Sequence, residues 1–151
     1  MNTKVLLVMA VVVLVIAGVW FGTRRAAPPP SAVPRAVEAI YTNASADLVA
    51  VTSPLPGATV PATFTFTGEA RGTWYFEASF PLEVISASGA QLVQLPVQAQ
   101  GEWMTTNFVP FSAEVTLPAT YKGAATIILH NDNPSGLPEN AKSLTILVVI
   151  Q

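Results

Sequence analysis

The chain has 151 residues, 51% of them apolar, a formal net charge of −2 and no cysteine. That length predicts one domain with accessory segments, and the lack of thiols excludes disulfides, thiolate zinc sites and cysteine nucleophiles. After residue 47, seven acids stand against three bases, which excludes the basic stripe that meets nucleic-acid phosphates.

Residues 1–4 form a short tail. Eighteen uncharged residues follow, VLLVMAVVVLVIAGVWFG (5–22). As a helix at about 1.5 Å per residue they would reach roughly 27 Å, close to the hydrocarbon thickness of a bilayer. Lys4 precedes the run and Arg24 and Arg25 follow it, with no small-residue cleavage pattern at its end. The reading is a retained transmembrane signal anchor, which makes the membrane the first partner. The flanking charges alone do not set its orientation.

Residues 23–47 carry Pro28, Pro29, Pro30 and Pro34 and predict an extended, Pro/Ala-rich linker. Within it, AVEAIY (36–41) is compatible with a helical turn or an extra strand. Asn43-Ala44-Ser45 fits the glycosylation pattern by chance composition.

From 48 onward the texture changes to period-two alternation, the signature of half-buried strands. LVAVTS (48–53) opens the series, and Phe64 and Phe66 then share one face between threonines. Trp74, Phe76, Ala78, Phe80, Leu82 and Val84 read as one apolar face of a third strand. Val93 to Ala99, Phe111 to Leu117, Ile127 with Leu129, and Leu144 to Ile150 continue the pattern. Gly- and Pro-containing turns separate the segments. The fold predicted for 48–151 is an all-β, immunoglobulin-like antiparallel β-sandwich of about seven strands, preceded by one N-terminal transmembrane helix.

Three segments, GEARGTWYFEASFP (68–81), GEWMTTNFVPF (101–111) and DNPSGLPEN (132–140), occur in this order. Together they resemble the immunoglobulin-like domain of bacterial spore-germination and sporulation proteins, often found beside a GerM-type domain. The resemblance implies an extracytoplasmic, non-enzymatic sandwich domain, here preceded by an anchor and tether. It places the C-terminal domain of a single-pass cell-membrane protein outside the cytoplasm.

If each strand crosses the sandwich once, the connections near 70–73, 100–110 and 131–142 gather at one end. Those connections hold the three family-like segments, and the tether is expected to enter the first strand at the same end. Arg71, Trp103, Asn107, Asp132, Asn133 and Glu139 are the candidate partner-binding residues there.

The chemistry on offer is sparse. His130 is the single histidine, and no nucleophile motif accompanies it. Its expected place is a strand end, bonded to backbone or water. Glu77 and Glu83, read as one strand face, would stand roughly 20 Å apart, beyond the 5–9.5 Å of glycosidase pairs. DNPSGLPEN offers oxygen ligands but lacks the EF-hand spacing, so it reads first as a turn. No cofactor and no metal are expected. The function read from the sequence is a non-catalytic binding or structural module of the bacterial envelope. The alternatives are an accessory subunit or inhibitor of an envelope enzyme, and a cell-wall carbohydrate-binding module using Trp103.

Overall fold

A computed structural model describes residues 37–151, and Ala36–Gln151 separates as one compact unit. The predicted anchor at 5–22 and the linker up to residue 36 lie outside the described residues.

The described residues form nine strands: β1 (Ile40–Thr42), β2 (Val49–Ser53), β3 (Thr59–Val60), β4 (Thr63–Arg71), β5 (Ser79–Ser86), β6 (Gln91–Ala99), β7 (Phe108–Thr116), β8 (Gly123–His130) and β9 (Ser143–Ile150). Seven of them match the predicted alternating segments. The other two, β1 and β3, are two or three residues long, too short to show a period.

The strands follow the path β1-β9-β8-β5-β6-β7-β4-β2, with β3 parallel to β9 and every other pairing antiparallel. Only two residue pairs join β6 to β7, Gln98 with Ser112 and Ala99 with Phe111. The path folds over at that seam into two layers, β2-β4-β7 against β6-β5-β8-β9. Phe80 of β5 meets Phe111 of β7 edge-on across the layers at 5.2 Å, and Phe66 stacks on Phe111 at 6.0 Å.

Alternation explains the core. Phe64, Phe66 and Ala70 of β4, Leu82 and Val84 of β5, Ile127 and Leu129 of β8 and Leu144, Ile146, Val148 and Ile150 of β9 all turn inward and are buried. Each large side chain of this kind contributes about 1.5–3 kcal/mol on burial, so the sandwich needs no disulfide. Gly68 keeps β4 low enough for the Phe111 ring, since a β-carbon there would overlap that ring and the Ala50 carbonyl.

One expectation is corrected. The apolar face read through 74–84 is not one strand: residues 72–74 form a 3-10 turn, and β5 begins at Ser79. Trp74 and Phe80 are core, but Phe76 is 44% exposed. Glu77 therefore sits in the turn before β5 rather than on a strand face with Glu83. Pro81 lies inside β5 opposite Pro96 of β6 without a register break. A residue lacking N–H fits there because its nitrogen faces away from the shared ladder.

The predicted first strand, β2, begins at the loop end, with Val49 opposite Ala70, and β1 precedes it. β1 runs antiparallel to β9, with Ile40 opposite Thr145 and Thr42 opposite Ser143. Followed back towards the N-terminus, the chain heads for the Ile150 end, where Val37 lies beside Gly57. Gln151 is at that end too, its amide donating to the Val60 carbonyl at 3.0 Å. The described chain thus enters and leaves opposite the 72–78, 100–107 and 131–142 connections.

Candidate functional site

Those three connections are held against one another by backbone. The Gly72 amide donates to the Asn107 carbonyl at 3.2 Å, and the Asp132 amide to the Trp74 carbonyl at 2.9 Å. The Ala99 amide donates to the Ala78 carbonyl at 2.8 Å. Gly72 has no room for a side chain, because the carbonyls of Thr105 and Trp103 cross directly over it. The glycine of the RGTW stretch is there to let the 100–107 connection lie flat on the end of β4.

Arg71 works as a clamp. Its Nε donates to the Asp47 carbonyl at 3.0 Å and a terminal nitrogen to the Thr106 carbonyl at 3.2 Å, while the guanidinium lies 4.0 Å over the Phe108 ring. Trp103 is half-buried and packs against the core. Tyr75, buried, donates its hydroxyl to the Val109 carbonyl at 2.8 Å. Burial pushes its pKa above the ordinary tyrosine range, and the Ala70 backbone offsets only part of that. The buried indole N–H of Trp74 finds no acceptor among the described residues; the ring is held by its edge-on contact with Phe80 at 6.4 Å.

The 131–142 connection is bonded internally. Asn131 accepts from the Lys142 amide at 2.7 Å and donates to the carbonyls of Asn140 and Asp132. Asn133 donates to the Leu137 carbonyl at 2.8 Å and accepts from the Ser135 hydroxyl, and Asn140 donates to Ser135. Gly136, at φ +66°, supplies the left-handed residue of the turn. The side-chain oxygens of Asn133 and Ser135 are thus occupied in shaping the loop. Among the described residues no group of three or more His, Asp or Glu side chains could hold a metal.

Of the six candidate residues, all lie at this end, but they divide by role. Arg71, Trp103 and Asn133 are committed to the scaffold, whereas Asn107 and Glu139 are exposed and Asp132 is half-exposed. His130 places Nε2 3.8 Å from Glu83 Oε2 on the outer face of β8 and β5. Two depressions of about 280 Å³ open to solvent here. One lies over residues 101–110; the other is lined by Ser79, Pro81, Gln94, Leu95, Pro96 and Asp132. Each falls just below the roughly 300–1,000 Å³ of pockets that enclose small ligands.

Sequence reasoning missed the surface residues that stand out. Phe76 (44%), Met104 (74%) and Leu137 (49%) are exposed large apolar side chains, one on each connection. Each has an exposed acid within two residues: Glu77, Glu102 and Glu139. Glu102 also accepts from the Met104 amide at 2.9 Å, which fixes that tip. Phe76 escaped notice because it is in phase with Phe80. Met104 and Leu137 lie in irregular stretches where no period marks exposure.

Two facing sheets, a β3 strand crossing to the opposite sheet, and loops clustered at one end define an immunoglobulin-like β-sandwich. A family model described as the immunoglobulin-like domain of bacterial spore germination matches residues 48–136, and the chain belongs to that family. A search of the curated proteins finds no match.

Proposed function

We propose that this chain is a membrane-tethered, non-catalytic binding module of the bacterial envelope. Its domain lies outside the cytoplasm and engages a protein through the end formed by 72–78, 100–107 and 131–142. The observation that carries the reading is the convergence of the three family-like connections into one backbone-bonded end, opposite the end where the described chain enters and leaves. That arrangement supports a display role for these loops. The uncharged 5–22 run supports the anchor.

The exposed Phe76, Met104 and Leu137 support a protein partner, since apolar anchors ringed by polar groups carry most interface energy. A carbohydrate platform through Trp103 has less support, because that ring packs against the core.

The test is site-specific photo-crosslinking of the full-length chain in cells that express it naturally. A photoreactive residue at 76, 104 or 137 should capture one common protein, while one at Thr65 on the outer face of β4 should not. Equal capture from Thr65, or none from the loop positions, would overturn the reading.

A further inference from the structure

The two outer faces of the sandwich differ in chemistry. On β4 and β7 the outward residues are Thr63, Thr65, Thr67 and Glu69 beside Ser112, Glu114 and Thr116, the polar surface expected of a solvated sheet. On the β9-β8-β5 face the outward rows are apolar or β-branched. Ile40, Thr145 and Ile128 form one row in register that ends on Glu83, followed by a row of Leu147, Thr126 and Ile85 and a third of Val149 with Ala124. Leu147 is 45% exposed, Val149 42% and Ile40 59%. The charged groups on this face are Glu83 and His130, which lie beside each other towards the loop end, away from Leu147 and Val149.

We infer that this face is the interface between two copies of the chain, packed sheet on sheet about a two-fold axis near Leu147. An isologous contact brings each residue near its own counterpart, so a face that carries charge at its centre repels itself. Here the centre has none. Three strands of about eight residues, with the short β1 and β3 in line beside β9 as a fourth column, at about 4.8 Å spacing present on the order of 500 Å² per copy. The pair would then bury about 1,000–1,200 Å², at the low end of specific interfaces and suited to a reversible dimer.

A bilayer surface fits the face less well. No outward position on β5, β8 or β9 is Lys, Arg, Trp or Tyr, the residue types that seat proteins at lipid headgroups. The loop end remains free in such a dimer, so this inference stands or falls separately from the partner site.

The chain has no cysteine of its own, so a single introduced thiol reports one position. Facing sheets pack about 10 Å apart, within reach of a short bismaleimide. In membranes containing the full-length chain, Leu147→Cys and Val149→Cys should crosslink to covalent dimers, and Thr65→Cys should not. The double variant Leu147→Glu/Val149→Glu, at exposed positions and with an unchanged thermal melt, should weaken self-association in sedimentation about tenfold or more. The inference is overturned if the β9 thiols crosslink no better than Thr65→Cys. It is equally overturned if they crosslink to a different protein, or if the double variant associates as tightly as the parent.

Discussion

Gly72 lies directly beneath the Thr105 carbonyl, so close that a β-carbon on it would overlap the oxygen, and the Trp103 carbonyl crowds it from the same side. Backbone cannot retreat as a flexible side chain does, so the 100–107 connection must lift. Gly72→Ala should therefore cost about 2–3 kcal/mol in urea unfolding. Gly101, in the same connection, faces open space, and Gly101→Ala should stay within about 0.5 kcal/mol. Equal effects at the two positions would mean that the crossing over Gly72 does not shape the loop end.

Burial of the Tyr75 hydroxyl gives a second handle. Its pKa is raised in the folded state by desolvation, so the sign of the pH effect follows. Below about pH 10 both folded and unfolded chains hold the proton, and the contribution is complete. As pH rises further, the unfolded chain releases its proton while the folded chain keeps it. The unfolded state then binds fewer protons, and stability falls. Tyr75→Phe, which loses the bond to the Val109 carbonyl, should cost about 1 kcal/mol at pH 7. Its stability should also fall less steeply above pH 10 than that of the parent. Parallel pH profiles would remove Tyr75 as the cause.

The turn before β5 carries the clearest backbone strain. Glu77 and Ala78 have φ of +49° and +63° between the doubly bonded pair Phe76 and Ser79. This is the two-residue hairpin geometry that favours Asn-Gly. The left-handed conformation costs a non-glycine residue about 1–2 kcal/mol, against about 0.5–1 kcal/mol for the extra freedom glycine brings to the unfolded chain. Ala78→Gly should stabilise by the difference, about 0.5–1 kcal/mol, seen as a higher urea midpoint. A lower midpoint would show that the turn is not strained.

What the sequence discloses follows from how each feature is encoded. β4 and β7 are legible because inward Phe, Ala and Val alternate with outward Thr, Ser and Glu over nine residues. The order of the alternating segments is enough to gather the three loops at one end by counting crossings. The entry point of the chain is not legible, because it turns on β1, whose three residues gain strand geometry only by pairing with β9. Nor is the role of Asn43, whose side chain donates to the Ala141 carbonyl ninety-eight residues away. The exposed Phe76 misleads for the opposite reason: its spacing imitates a strand that the 3-10 turn and the tight hairpin have replaced.

Arg71 separates scaffold from contact at the loop end. Its guanidinium reaches the Asp47 and Thr106 carbonyls in two fixed directions and covers the Phe108 ring. A lysine keeps the charge but offers one compact ammonium, which cannot hold both carbonyls and lie flat on the ring. Arg71→Lys should therefore cost about 1–2 kcal/mol, from one lost charge-assisted bond and the stacked contact. The loss should be local as well as global. With Thr106 released, the amides of Thr105 and Asn107 should exchange with solvent faster, while those of β8 and β9 change only as overall stability changes. If instead the variant melts and exchanges like the parent but no longer crosslinks through residue 104, Arg71 contacts the partner directly and its clamp on the loop is incidental.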